Sequence, residues 1–239
     1  MRVLESLVQR ILLRGCQTTY SQFGEDLILR HLFGNLGIEQ PTYLDIGANN
    51  PRACSNTYYF YRRGSRGVLV EPNPRLSQRL SSVRPRDIVV QAGVGLTSDS
   101  EADFYVFPRQ FDGLSTFSKA EATRWETTGL KGRGKMHVES IIRVPLVSVN
   151  DVMTTHFRNR LPDLLSLDIE GLDLDVLKSL DFERFAPDVL CVETLSYDKN
   201  QNGYKRRDII DFAVAKNYVA YADTWANTIF CKNGLIATM

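Results

Sequence analysis

The chain has 239 residues, enough to bury a full core in one α/β domain, and its 43% hydrophobic and 24% charged residues exclude a disordered, fibrous or multi-span membrane protein. With 29 basic against 28 acidic side chains the net charge is +1, so no global field gathers a polyanion, and nucleic acid is not an expected partner. The scattered Cys16, Cys54, Cys191 and Cys231 contain no C-x-x-C pair, which excludes a cysteine zinc site and a dense disulfide framework and predicts reduced thiols in a cytoplasm.

In chain order, Val3, Leu4, Leu7, Val8, Ile11 and Leu12 stand at helical spacing, interrupted by Glu5, Gln9 and Arg10. This stretch is too short and too charged to span a bilayer, and it lacks the uninterrupted apolar run of a signal peptide. It predicts a helix packed on the domain or on a second subunit of a homo-oligomer. A peripheral membrane contact of residues 1–14, with Arg2, Arg10 and Arg14 at the polar ends, is the functional alternative. The chain is taken as one domain over 1–239, with 1–38 as an N-terminal helical extension.

A strand is expected from Thr42 to Ile46, ending in the turn Gly47-Ala48-Asn49, then a helix capped by Ser55 and running through Tyr61. Gly67–Val70 reads as a buried strand closing on Glu71, after which Pro72-Asn73-Pro74 breaks the chain and Pro74 can occupy the first turn of a helix. Asp87–Gln91, Leu164–Asp168 and Asp188–Glu193 are further strands. Tyr218–Ala222 and Ala226–Lys232 form a terminal hairpin around Asp223-Thr224-Trp225. Strands alternating with helical patterns predict a mostly parallel sheet flanked by helices. The strands end on Asp45, Glu71, Gly93, Asp168 and Glu193, so polar and small residues collect at the carboxyl edge where such sheets bind ligands. Residues 108–140, bracketed by strand-like Ala102–Phe107 and Ile141–Val147, depart from this rhythm and predict a substrate-covering loop.

The chemistry starts at Asp45-Ile46-Gly47-Ala48-Asn49. A strand feeding a sharp turn needs glycine where backbone must approach a ligand closely or take positive φ. Asn49 and Arg52 stand where a G-x-G-x-x-G run would continue, which counts against a dinucleotide pyrophosphate. Glu71, at the end of the next strand, is placed to accept hydrogen bonds from ribose hydroxyls. Together the two features point to an adenosyl ligand without a pyrophosphate.

Four ordered blocks carry a family resemblance: Ser21-Gln22-Phe23-Gly24-Glu25-Asp26; Leu44-Asp45-Ile46-Gly47-Ala48-Asn49; Glu71-Pro72-Asn73; and Leu167-Asp168-Ile169-Glu170-Gly171, followed by Asp175-Val176-Leu177. From about Tyr20 to Cys231 the chain resembles FkbM-type, S-adenosylmethionine-dependent methyltransferases. The resemblance implies a Rossmann-like seven-stranded sheet and O-methylation of a carbohydrate or of a glycosylated natural product. It implies cofactor contacts from Gln22, Glu25, Asp45, Gly47, Ala48, Asn49, Glu71, Pro72, Asn73, Gly93 and Asp168. Two features depart from the family's pattern: Asn50-Pro51 where many relatives carry glycine, and Ser166 where many carry lysine.

Methyl transfer from a sulfonium requires in-line alignment and removal of the acceptor's proton. Asp168, Glu170 and His137 are the expected bases. Asp168 with Glu193 forms an oxygen pair suited to Mg2+ or Ca2+. Lys131, Arg133 and Lys135 would grip an anionic glycan or small-molecule acceptor. A protein or nucleic-acid acceptor and a non-catalytic adenosyl-binding domain are the competing expectations.

Overall fold

The structure is a computed structural model that describes residues 17–96, 100–129, 134–157, 160–169, 171–197 and 202–236. The expected contact of residues 1–14 lies outside the described residues, as do Glu170, Lys131 and Arg133. Among the described residues no helix is long and apolar enough to cross a membrane.

The chain runs through α1 (Glu25–Asn35), β1 (Tyr43–Ile46), α2 (Tyr58–Tyr61), β2 (Gly67–Val70), α3 (Pro74–Val83), β3 (Ile88–Val90), β4 (Gly93–Val94) and β5 (Glu101–Val106). It continues with α4 (Lys119–Thr127), β6 (Ser140–Val147), α5 (Val149–His156), β7 (Leu164–Leu167), α6 (Asp173–Ser179), β8 (Val189–Glu193), β9 (Leu195–Tyr197) and β10 (Gly203–Lys205). Last come α7 (Arg207–Ala215), β11 (Tyr218–Asp223), β12 (Asn227–Lys232) and α8 (Asn233–Ile236).

Seven strands form one sheet in the order β11-β12-β8-β7-β1-β2-β3. β12 pairs antiparallel with both β8 and β11, and the other pairs are parallel. This is the expected Rossmann-like α/β sheet with a C-terminal antiparallel hairpin. Successive side chains of a strand point to opposite faces. Leu44, Ile46, Leu165, Leu167, Leu190 and Val192 accordingly face α5, α6 and α7. Tyr43, Leu69, Leu164, Val189, Cys191 and Ile229 face α1, α2 and α3 on the other side. Both faces are buried, which is why these strands read as continuous apolar runs rather than alternations.

Chain order reverses between β1 and β7, so the crevice at a switch point opens between Gly47 and Asp168. Pro74 takes the first turn of α3 as expected, with Asn73 as the cap, its side-chain oxygen accepting from Arg75 N at 3.1 Å. The helix expected from Ser55 is shorter. Ser55 Oγ accepts from Tyr58 N at 3.2 Å, but Cys54 takes a left-handed φ of 54° and only Tyr58–Tyr61 is helical.

Residues 108–140 do not form the loop predicted for them. Arg109–Leu114 is a 3-10 turn, and α4 is capped by Ser118, whose Oγ accepts from Glu121 N. Phe107, Ala122, Trp125 and Met136 make a small core of their own. Ala122 and Trp125, three apart, lie on one helix face, enough to fold a segment whose polar composition hides it. β5 and β6 pair antiparallel beneath it, from Glu101↔Pro145 to Val106↔Ser140.

Candidate active site

The floor of the crevice is set by Gly47. Its φ is +82°, and a Cβ there would lie 1.8 Å from the Asp168 carbonyl oxygen, so any other residue closes the gap between β1 and β7. Gly47 N and Ala48 N donate to Val70 O, tying the turn to β2. Asn49, at the position of the missing second glycine, has φ 45°, a conformation asparagine tolerates better than most residues. Asn50 and Pro51 build an alternative turn: Asn50 Oδ1 accepts from Arg52 N and Ala53 N, both at 3.0 Å, and Pro51 is buried.

Glu71 ends β2 with its carboxylate buried. One oxygen accepts from Asn49 N and the other from Asn73 N, each at 2.8 Å. A carboxylate oxygen accepts more than one hydrogen bond, so both retain capacity. Burial pushes this carboxyl up to about 7 against the pull of the two amides. Asn73 Nδ2 is buried and finds no hydrogen-bond partner among the described residues.

Asp45 is held from behind. Thr57 Oγ1 donates to it at 2.6 Å, and Thr57 in turn accepts from Arg84 at 3.0 Å. Arg84 is fully buried, paired with Asp87 at 2.7 Å and bonded to the Tyr43 hydroxyl at 3.0 Å. Ser166 accepts from Asn56 and bonds Asp45. Burial raises the Asp45 carboxyl above its ordinary range, opposed by the Arg84 charge and by the Thr57 and Ser166 hydrogen bonds.

Across the crevice, Asp168 is raised well above the ordinary carboxylate range by burial and by the charges of Asp173 and Asp45. A hydrogen bond with Glu193 works in the opposite direction. Asp168 is not a helix cap. The helix that follows has Leu172 at its cap with no side-chain bond; Asp173, in its first turn, ties down the preceding loop, its carboxylate accepting from Ile169 N at 3.1 Å and Gly171 N at 3.2 Å, and burial lifts it to about 6.

Glu25, expected beside the cofactor, is buried on the other half of the rim, where it accepts from Phe23 N, Thr224 Oγ1 and Asn227 Nδ2. Burial would raise its carboxyl, but these bonds outweigh it and the group is lowered. Asn227 stands opposite Glu193 in the β8–β12 ladder. Gln22 and His137 are both exposed. His137 sits between Met136, packed in the small core, and Val138, whose N donates to Glu126. Among the described residues no group of three His, Cys, Asp or Glu has metal-binding geometry; Asp168 and Glu193, the pair expected at a cation, are hydrogen-bonded to each other.

The folded insertion overhangs this edge. Arg75, in the first turn of α3, pairs with Asp112 at 2.6 Å and Glu139 at 3.1 Å. Phe117 reaches Gly93, where a Cβ would meet its ring at 2.3 Å. Phe117, Gly47, Pro72, Ala92, Gly93 and Ile169 help to line a cavity of about 30 Å3. That volume admits about two waters. Sequence reasoning missed Thr57, Arg84, Phe117, Asp173 and Asn227.

The Methyltransferase FkbM domain matches residues 45–220, which include the crevice, the insertion and both central carboxylates. The chain belongs to the FkbM methyltransferase family. No curated protein matches this family member. One solved structure it resembles is a TehB-like SAM-dependent methyltransferase from Corynebacterium glutamicum, at 12% identity and TM-score 0.42, covering 95% of this chain and 97% of that one. Another is the 1,6-didemethyltoxoflavin-N1-methyltransferase of Burkholderia thailandensis with bound 1,6-didemethyltoxoflavin and S-adenosylhomocysteine, at 15% identity and TM-score 0.39, covering 87% of this chain and 74% of that one. The family assignment rests on the domain match.

Proposed function

We propose that this FkbM methyltransferase uses S-adenosylmethionine to methylate a hydroxyl of a carbohydrate or glycosylated natural product. The observation that carries the donor is Glu71: a buried carboxylate with acceptor capacity left on both oxygens, at the switch-point crevice and without a pyrophosphate loop. Asn73 Nδ2, buried and unpartnered, offers a hydrogen-bond donor beside it. Gly47 leaves room for close backbone approach. The residues therefore fit an adenosyl group.

When bound, S-adenosylmethionine supplies an electrophilic methyl group. Glu71 holds ribose hydroxyls, and Gly47, Ala48 and Asn49 present the turn. Phe117 lies against Gly93 at the mouth of the cavity of about 30 Å3, beside the place we assign to the nucleoside. Asp168 is the base we assign for the acceptor hydroxyl, because a carboxylate with a raised pKa accepts a proton better at neutral pH. Glu193 shares the proton and returns it to solvent.

Calorimetry with S-adenosylmethionine, followed by labelled-donor assays on glycan, RNA and protein fractions, tests this. Donor binding that is lost in Glu71→Ala, with label entering glycan, is the expected result. No binding by the wild type, or label entering only RNA or protein, refutes the donor or the acceptor respectively. Donor binding with no transfer to any fraction refutes turnover.

A further inference from the structure

The turn between β11 and β12 holds Trp225 in an unusual state. Its φ is +73°, a left-handed conformation that a bulky residue rarely takes, and its side chain is 54% exposed. The turn is also fixed on every side. Trp225 N donates to Asp223 Oδ1 at 2.7 Å, and Trp225 O accepts from Lys205 Nζ at 2.7 Å. Thr224 N donates to Asn227 O, while Thr224 Oγ1 is bonded to the buried Glu25 at 2.7 Å. An outlier that its surroundings over-determine points to a use for the residue.

The ring has company. Gly203, in β10, pairs with Tyr197 in β9, and a Cβ at Gly203 would lie 3.6 Å from both the Trp225 and the Tyr197 rings. Leu195 and Lys205 share that face of the hairpin; Tyr204 is on the other. Tyr197 is 48% exposed. Phe23, 54% exposed, is bound to the same Glu25 carboxylate through its backbone N–H. Two open aromatic rings, Trp225 and Tyr197, thus stand together beside Gly203, next to the Lys205–Asp223 ion pair.

This patch is away from the nucleoside side. Glu71 and Gly93 lie toward β2 and β3, whereas Trp225 precedes β12, at the opposite end of the strand order. Between Trp225 and Asp168 only β8 intervenes.

We propose that Trp225, with Tyr197, is a stacking platform for a pyranose ring of the acceptor, next to the ring that is methylated. The proposal rests on the carbohydrate reading above. The carbon-bound hydrogens of a pyranose face carry the partial positive charge that an aromatic face attracts, and its edge hydroxyls need polar partners. A wholly apolar acceptor would want an enclosed aliphatic pocket; here the Asp223 carboxylate and the Lys205 ammonium stand at the Trp225 turn. From β12 to β7 is two strand spacings, roughly 10 Å. On that spacing we place the ring stacked on Trp225 and the ring offered to Asp168 as neighbouring units of one acceptor. The acceptor is therefore at least a disaccharide.

The chain has two tryptophans, Trp125 and Trp225, and Trp125 is buried. Acrylamide quenching of the wild type therefore reads Trp225. The probes are methyl glycosides of glucose, galactose, mannose, rhamnose and fucose, and of disaccharides of each. Trp225→Asn keeps a residue that tolerates positive φ, and Trp225→Gly relieves the strain, so both variants fold. Expected are protection of Trp225 by at least one disaccharide, and methylation of it in preference to its monosaccharide. In both variants KM for that disaccharide rises about tenfold, with kcat and S-adenosylmethionine affinity unchanged. Wild-type KM in the variants, or equal use of monosaccharides, overturns the platform and leaves the carbohydrate reading standing. Donor binding without methylation or protection by any glycoside overturns both.

Discussion

The two halves of the strand-end rim solve different problems with similar residue types. On the β1–β3 half, Glu71 and Asp45 are buried and their bonds run to backbone amides or to a buried arginine network; the rim is closed by Phe117. On the β8–β12–β11 half, Glu25 is equally buried, but the residues attached to it, Phe23 and the Trp225 turn, hold aromatic rings out into solvent. In the proposed reading the first half is a closed mould for the methyl donor, and the second is an open shelf for the acceptor.

The sharpest break of the comparison is at Gly47. Gly47→Ala places a methyl group 1.8 Å from the Asp168 carbonyl at a φ of +82°. We expect a loss of about 3 kcal/mol or more in stability and no S-adenosylmethionine binding, read by urea denaturation and calorimetry. Next is Arg84→Met, which leaves Asp87 buried without its partner. That should cost about 3–5 kcal/mol and lower donor affinity through Asp45, without changing the exposure of Trp225 to acrylamide. Asp168→Asn should reduce kcat about 100-fold or more while donor affinity stays within a few-fold, separating the base from the mould. If kcat survives, the proton goes elsewhere.

The smallest effect is on pH dependence, and it has opposite signs for folding and for binding. Glu71, held at about 7 by burial, ionises in the unfolded chain near 4.5. Its contribution to stability is therefore whole below pH 4.5 and lost as pH rises through 7. Asp168 and Asp173, also raised, act in the same direction. Glu25, Asp208 and Asp223 are lowered, so theirs is lost only in more acidic solution, outside this window. The ligand-free protein should melt several degrees higher at pH 5.5 than at pH 8. Donor affinity should rise over the same interval, because the ionised Glu71 is the form that accepts from ribose; Glu71→Gln should abolish that rise and reduce the melting trend, leaving the part due to Asp168 and Asp173. A melting temperature that rises with pH contradicts the assignment.

The β1–β3 half was legible in the sequence because its contacts are local. Glu71 follows Asn49 by 22 residues, and both end consecutive strands of one β-α-β unit. The sheet was legible for a related reason, since strands buried on both faces announce themselves as apolar runs. The other half was not. Thr224 and Asn227 reach Glu25 across separations of 199 and 202 residues, and no spacing rule connects them. In Val83-Arg84-Pro85-Arg86 nothing local separates the fully buried Arg84 from the exposed Arg86. The insertion hid its helix in polar sequence, and with it the position of Phe117, which depends on packing against Phe104 at 4.7 Å between ring centroids.

The Arg84 network joins the first residue of β1, through Tyr43, to the carboxylate of Asp45 near its end, and it reaches β3 through Asp87. None of these groups can be hydrated one at a time without leaving another charge stranded. The amides of Gly47 and Ala48 should therefore exchange with deuterium only when the whole sheet opens, whereas the insertion, resting on a core of four buried side chains, can open by itself. Gating at Phe117 and rigidity at Gly47 can then coexist a few ångströms apart, because they belong to different cooperative units of the same chain.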